Sequence, residues 1–365
     1  MKVLTILTTC LCLATPALAA PPPKIIKASD GIFAAFHDHP LVGLGEWHGL
    51  AQEVDFYAAL VRDPRLAKEV GNIVVEMGDA AQQDVVDRYV NGESVSYLEL
   101  RKVWSDTVGI FPTVQDLGNI NLYAVVRAVN AGLPPESRIK VWLGDPPINW
   151  SQVNSKEEWQ RLEEQRDIYP AGLIEREILG KQKKALVIYG VDHLDVYPDG
   201  IAPFPPPAIV QHRSPNMRAR FDANHPGALF TVFPYIGFTT KPCSERFERH
   251  LKGVPIPSLI VSVRESAWEK DVLPPGCVPV AKSPGLTQAQ YEAAIRNYAG
   301  FNSDGLLYLG ARQSLTTSPN VPDLYLDLDF RREMDRRLRL RIGTGLSAVP
   351  DPAYNPATPQ PYDPG

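Results

Sequence analysis

Histidine and carboxylate side chains stand directly after four short apolar segments of the sequence. Two of these places share the pattern Gly-x-x-His, in which a glycine ends the apolar segment and a histidine follows three residues later. The groups at the four ends are Glu46 with His48, Glu76, Asp145, and Asp192 with His193. Two imidazoles and several carboxylates in one crevice can activate water by general-base catalysis, hold a metal ion or bind haem iron.

The apolar segments before these residues have the length and the β-branched content of buried strands. The strand segments are 41–46, 73–76, 139–145 and 185–190, and segments with helical spacing lie at 53–61, 82–90, 117–130 and 156–179. Strands that alternate with helices of this length predict an α/β fold with a mostly parallel sheet. Because ligands bind at the carboxyl ends of such strands, we expect the polar groups to meet at one edge of the sheet.

The sequence after His193 is richer in proline and less regular. It predicts strands at 228–233, 258–263 and 306–309 and a final helix at 329–340. We expect one α/β domain over 30–348, with its core at 40–195 and a less regular C-terminal part at 196–348. The stretch 349–365 is rich in proline and has no period, which predicts a disordered tail.

Composition and missing motifs argue against several classes of function. The chain has 37 Lys and Arg against 42 Asp and Glu, a net charge of −5, so it has no overall basic field to bind nucleic acid. It contains no G-x-S-x-G elbow, H-E-x-x-H helix, P-loop or G-x-G-x-x-G run. These observations disfavour a nucleic-acid partner, a serine hydrolase of that type, a zincin and a nucleotide-binding enzyme.

The first 19 residues have the features of a signal peptide. Lys2 precedes an apolar run at 3–13, and Ala17-Leu18-Ala19 matches an A-x-A cleavage site. The apolar run is shorter than the ~20 residues that a membrane-spanning helix needs. We therefore expect a periplasmic or secreted protein that begins at Ala20 and keeps no membrane anchor.

Four cysteines occur in the chain, and two of them, Cys10 and Cys12, would leave with the signal peptide. Cys243 and Cys277 remain. An even pair in an oxidising compartment predicts a disulfide between these two residues, with two buried free thiols as the alternative.

Several short motifs together resemble the erythromycin esterase-like group of proteins. The motifs are Gly45-Glu46-Trp47-His48-Gly49, Val75-Glu76, Tyr89-Val90-Asn91-Gly92, Arg127-Ala128-Val129-Asn130, Gly144-Asp145, Arg166-Asp167 and Gly190-Val191-Asp192-His193. The wider superfamily also includes the ChaN-like haem-binding lipoproteins and the Tiki/TraB proteins, and the similarity covers about residues 41–195. The resemblance implies a three-layer α/β/α core and activities that range from lactone hydrolysis and metal-dependent proteolysis to haem binding.

The resemblance also implies roles for individual residues. Its catalytic set would be Glu46, His48, Glu76, Arg127 and His193. Within this set, Arg127 would stabilise an oxyanion, and His48, Glu76 and His193 would be the ligands of a metal ion. The supporting groups would be Asn130, Asp145, Arg166 and Asp192, and Trp47 would stack against a substrate or haem ring.

Three functions follow from these observations. The leading hypothesis is an exported hydrolase in which His48, oriented by Glu46, activates a water that attacks an ester or amide of a small molecule or peptide. One divalent ion, Zn, Mn or Fe, could assist this reaction. The alternatives are a protein that binds haem non-covalently or iron through the same histidines, and an inactive scaffold that keeps the fold.

Overall fold

The computed structural model describes residues 20–109, 116–196, 215–237, 241–263, 266–268, 287, 289 and 303–346. The predicted signal peptide, the stretch 349–365 and Cys277 lie outside these residues. Among the described helices, none is both long enough and apolar enough to cross a membrane.

Eight strands form one mostly parallel sheet, as the alternating pattern predicts. They are β1 (Lys24–Lys27), β2 (Leu41–Glu46), β3 (Asn72–Asp79), β4 (Lys140–Asp145), β5 (Ala185–Gly190), β6 (Leu229–Pro234), β7 (Ser258–Val261) and β8 (Gly305–Tyr308). The spatial order is β1-β7-β8-β6-β2-β5-β3-β4. The pairs from β8 through β6, β2, β5 and β3 to β4 are parallel, and β7 is antiparallel to both of its neighbours.

Helices cover both faces of this sheet, which gives the predicted three layers. They are α1 (Ala28–Asp38), α2 (Ala51–Arg62), α3 (Gln83–Val90), α4 (Tyr97–Ser105), α5 (Leu117–Asn130), α6 (Lys156–Glu163), α7 (Ile168–Glu177), α8 (Val191–Leu194), α9 (Met217–Asn224), α10 (Lys241–Glu248), α11 (Asp323–Leu326) and α12 (Leu328–Ile342).

Side chains that alternate along the strands divide between two cores. On one face Val42, Leu44 and Ile188 pack in a core with α1 to α5. On the other face Val187 and Tyr189 pack in a core with α7 and α9. Because successive strand residues point to opposite faces, a strand buried on both sides is mostly apolar, as β2 and β5 are apart from Glu46 at the end of β2.

The structure differs from the sequence-based expectations in two respects. The edge strand β1 and the helices α1, α4, α8, α9, α10 and α11 are not among the predicted elements. The helix expected at 156–179 is two helices. The chain breaks helical structure at 164–167 between α6 and α7. This break carries Arg166 and Asp167, and it places both residues in a turn instead of within a helix.

Strands from both parts of the chain share the one sheet, since β6 pairs with β2. Cys243 lies buried in α10 and takes part in a disulfide. Because Cys277 lies outside the described residues, the pairing of these two cysteines stays a prediction.

Candidate functional site

The carboxyl ends of β2, β5, β3 and β4 lie side by side in the sheet. After β2 the chain continues toward β3, whereas after β5 it crosses to β6 on the opposite side of β2. The direction of winding therefore reverses between β2 and β5, which is where a crevice opens in sheets of this class. Glu46 ends β2, Gly190 ends β5 and Asp145 ends β4, so the predicted polar groups reach one edge.

A tight turn after β2 places His48 over this edge. The Leu50 amide donates to the Trp47 carbonyl at 3.0 Å, and Gly49 has a φ of 83°, a left-handed conformation that glycine adopts without strain. Nδ1 of His48 lies 3.3 Å from Oε1 of Glu46, an ion-pair contact without the geometry of a hydrogen bond. Burial disfavours the charged imidazole, but the carboxylate of Glu46, helped by Glu76, outweighs this and raises the pKa of His48 to about 9.

Glu76 and Arg166 form the buried centre of the site. The guanidinium of Arg166 donates to Glu76, to Asp145 and to Glu163, and the Gly190 amide donates to Oε2 of Glu76 at 2.6 Å. Burial opposes the charge of Glu76, but the positive charges of His193 and Arg166 hold its pKa well below the usual range. Burial raises the pKa of Asp145 to about 7.

His193 lies in the short helix α8 and is held through both ring nitrogens. Nδ1 is 2.8 Å from Oδ1 of Asp167, and Nε2 is 3.5 Å from Oε1 of Glu76. Burial disfavours the charged ring, but Asp167 and Glu76 together raise the pKa of His193 to about 10. His193 is therefore a cation at neutral pH that is fixed between two carboxylates.

Three further groups on the far side of Glu46 were not among the predicted site residues. The Asn119 amide donates to both Glu46 and Asp116, and Glu53 accepts from the Trp47 amide at 3.0 Å. All three are buried. The available signal was the Asp-x-x-Asn spacing at the start of α5, which is typical of a helix N-cap and which sequence reasoning treats as purely structural.

The backbone at Gly190 lies close to His48 and Glu76. A methyl group built on Gly190 would be 3.1 Å from Oε2 of Glu76 and 3.2 Å from Nε2 of His48, closer than a carbon atom normally packs. Both atoms therefore face the position that a side chain at residue 190 would occupy, which we call the Gly190 space. The side chain of His48 is 27% exposed and that of Glu76 is 2% exposed, so His48 is the member of this pair that solvent reaches.

Arg127 and Asn130 do not belong to this site, contrary to the sequence-based expectation. Arg127 donates to the carbonyl of Tyr89 in the last turn of α3 and to the carbonyls of Gly92 and Glu93 after this helix. Asn130 bonds both the amide and the carbonyl of Ile139, just before β4 begins. Both side chains therefore bond backbone groups near the amino ends of the strands, whereas Asp145 lies at the carboxyl end of β4.

The structure also changes the interpretation of Asp192 and Trp47. Asp192 occupies the first turn of α8 with its side chain exposed, and its carbonyl accepts from Asn216. Trp47 is half-buried and packs against the core shared with α2 and α5, and its amide donates to Glu53. This packing holds the ring against the core, and the predicted stacking role stays a prediction.

The predicted metal site does not fit the arrangement of His48, Glu76 and His193. Within the described ranges, no group of three or more His, Cys, Asp or Glu side chains is arranged to hold a metal ion. Both oxygens of Glu76 already accept hydrogen bonds, one of them from the cationic Arg166. A metal ion at this carboxylate would have to compete with Arg166 and protonated His193, which both already contact it.

Haem ligation by the two histidines meets a similar obstacle. An axial imidazole must offer an unprotonated nitrogen to the iron. His193 has Asp167 at Nδ1 and Glu76 at Nε2, and both carboxylates stabilise its protonated form. The residues that the sequence suggests for haem therefore do not fit that role as a pair.

An open apolar groove of about 600 Å³ lies among α2, α3, α4 and α5. Four aromatic rings line it, namely those of Tyr89, Tyr97, Trp104 and Tyr123. Neither His48 nor His193 is part of its lining, so the groove is separate from the Gly190 space.

No protein-family model matches the chain, and no curated protein matches it either. Three solved structures show a distant likeness. A Bacillus cereus protein has 12% identity, a TM-score of 0.46, and coverage of 79% of this chain and 94% of its own. A succinoglycan biosynthesis protein has 11% identity, a TM-score of 0.42, and coverage of 60% and 73%. The type III effector HopBA1 has 13% identity, a TM-score of 0.35, and coverage of 60% and 88%.

Proposed function

We propose that this protein is a hydrolase that cleaves an ester or amide with a water molecule activated by His48. The observation that carries the proposal is the Gly190 space, onto which Nε2 of His48 and Oε2 of Glu76 both face. A general base of this type has a carboxylate beside Nδ1 and an accessible Nε2, and the ion-pair contact of Nδ1 with Glu46 provides the first of these. The substrate would be a small molecule or a peptide.

In the proposed reaction, neutral His48 takes a proton from water at Nε2 while the water oxygen forms a bond to the carbonyl carbon. The tetrahedral intermediate then collapses, and the bond from carbon to the leaving oxygen or nitrogen breaks. The leaving group receives the proton that His48 had taken. The products are the carboxylic acid and the alcohol or amine, and His48 returns to its neutral form.

Positive charge for the developing oxyanion would come from residues other than Arg127. Protonated His193 and Arg166 both contact Oε1 of Glu76, the carboxylate whose Oε2 faces the Gly190 space. Fixed charges of this kind stabilise a transition state without reorganisation, because the folded protein already holds them in place. No step of this proposal passes through a metal ion or haem.

The direct test measures hydrolysis of p-nitrophenyl acetate, p-nitrophenyl butyrate and a p-nitroanilide by the purified chain and by His48→Gln. We expect His48→Gln to lose at least about 100-fold in kcat/KM while the circular dichroism spectrum is retained. His37→Gln is the matched control, because His37 is exposed on α1. Equal hydrolysis by the wild-type chain and His48→Gln would overturn the proposal.

The same substrates test the pH dependence. Only neutral His48 can accept a proton, and its pKa is raised to about 9. The rate should therefore rise about tenfold for each pH unit up to about pH 9 and then level off. A rate that falls as pH rises from 7 to 9 would contradict the assignment of His48 as a base.

We further propose that the protein acts after export, outside the cytoplasm. The support is the pattern of the first 19 residues, together with the participation of Cys243 in a disulfide. Disulfides persist in oxidising compartments and are rare in the cytosol.

A further inference from the structure

One buried amide, that of Asn119, joins two buried carboxylates next to the proposed base. Nδ2 of Asn119 lies 2.5 Å from Oε1 of Glu46 and 2.7 Å from Oδ2 of Asp116. Asn119 is 1% exposed, and the two acids are each 2% exposed. An NH2 group has two hydrogens, so it can donate one to each carboxylate at the same time.

Electrostatics sets the orientation of this amide. If the Asn119 side chain were flipped, its carbonyl oxygen would face two carboxylate oxygens and repel both. The observed orientation instead leaves Oδ1 without a hydrogen-bond partner among the described residues. A buried acceptor without a partner costs free energy. The favourable contribution of Asn119 therefore comes from its NH2 group, which donates to the two carboxylates.

The C-terminal part of the chain contacts Asp116 and the turn that carries His48. The Ser318 hydroxyl bonds Asp116, and the Ser318 amide donates to the Gly49 carbonyl at 2.7 Å. The Leu117 amide donates to the Pro319 carbonyl at 2.8 Å. The segment 316–320 therefore ties the turn that carries His48 to the first turn of α5, which carries Asn119.

We propose that Asn119 is a positioning residue that fixes Glu46 against Nδ1 of His48 and so directs Nε2 of His48 toward the Gly190 space. Asp116 and Ser318 in turn fix Asn119. The predicted effect on rate rests on the proposed function, whereas the effect on the state of His48 does not.

The test follows the Cε1 proton of His48 by NMR as a function of pH, with His48→Gln to assign the signal. The ionisable groups that act on His48 are Glu46, Glu76, Arg166, Glu53 and Asp116. In Asn119→Ala the two acids face each other without a donor, so one takes up a proton or Glu46 turns away. We therefore expect the pKa of His48 to fall by at least one unit, and kcat/KM at a pH above the pKa to fall by about 10- to 100-fold.

Asn130→Ala is the control for a purely structural role. Asn130 is equally buried and lies on the same helix, but it bonds backbone groups at the opposite edge of the sheet. We expect this variant to unfold at a lower temperature while His48 titrates as in the wild-type chain. Where Asn119→Ala does not fold, Asn119→Ser keeps a polar group that is too short to reach both carboxylates, and the same fall in pKa is expected.

An unchanged pKa of His48 in a folded Asn119 variant would overturn the positioning role. A chain that hydrolyses none of the probes but shows the predicted fall would instead overturn the proposed function and leave the positioning role standing.

Discussion

Removal of Arg166 tests whether its buried guanidinium holds the site together. Arg166 is 11% exposed and its partners Glu76 and Asp145 are each 2% exposed, so little water can replace the guanidinium. Loss of one partner from a buried ion pair costs about 3–5 kcal/mol, because a charge is left in a low-dielectric interior. Arg166→Met keeps much of the side-chain volume and removes only the charge and the hydrogen bonds.

We expect Arg166→Met to lower the free energy of unfolding by about 3–5 kcal/mol at pH 8, measured by urea denaturation with far-UV circular dichroism. The loss should be smaller at pH 5. Without the guanidinium, the pKa of Asp145, already raised to about 7 by burial, rises further. A carboxyl whose folded pKa is raised supports stability at low pH, and this support is lost as pH rises through that pKa.

The same substitution at an exposed arginine provides the control. Arg332 is 77% exposed and pairs with Asp329 on the surface of α12, where an ion pair contributes about 0–1 kcal/mol. Arg332→Met should therefore unfold within about 1 kcal/mol of the wild-type chain. If Arg166→Met were as mild as Arg332→Met at pH 8, the buried charge cluster would not have the energetic role that we assign to it.

Two further predictions concern the Gly190 space and the disulfide. Gly190→Ala should abolish hydrolysis of the p-nitrophenyl esters, because its methyl group would press against Nε2 of His48 and Oε2 of Glu76. Gly172→Ala is the control and should keep full activity, because an added methyl group there meets nothing within 4 Å. When the protein is exported to the periplasm, its intact mass should correspond to a chain that starts at Ala20 and contains one disulfide. Two titratable thiols after denaturation without reductant would contradict the pairing of Cys243 with Cys277.

The sequence was sufficient to predict the central strands but not the elements at the edge of the sheet. Strands β2 to β5 are apolar on both faces, so their composition alone distinguishes them. Strand β1 has the sequence Lys-Ile-Ile-Lys and is mostly exposed, and only its pairing with β7 makes it a strand. The break between α6 and α7 was missed because 156–179 keeps helical spacing on both sides of it.

The site was predictable where a residue's place follows from the end of a strand. Glu46 and Asp145 end β2 and β4, and the topology alone brings them to one edge. The two arginines do not follow the end of a strand in the sequence, so their places cannot be predicted in this way. Arg127 and Arg166 both follow helical patterns in the sequence, and only the unpredicted turn after α6 brings Arg166 to Glu76, while Arg127 stays at the end of α5 on the opposite edge.

The two Gly-x-x-His motifs look equivalent in sequence but are displaced by one residue in the sheet. Glu46, not Gly45, pairs with Gly190 across β2 and β5. Because neighbouring strand residues point to opposite faces, this displacement means that the two glycines do not face the same side. The missing side chain at Gly190 lets His48 and Glu76 lie close to the backbone, whereas a side chain at Gly45 would collide with Phe233 and Val191. One glycine therefore permits apolar packing, and the other permits two polar side chains of the site to approach the end of β5. In the same way, His193 is fixed as a cation between two carboxylates, and His48 keeps a nitrogen that can exchange a proton.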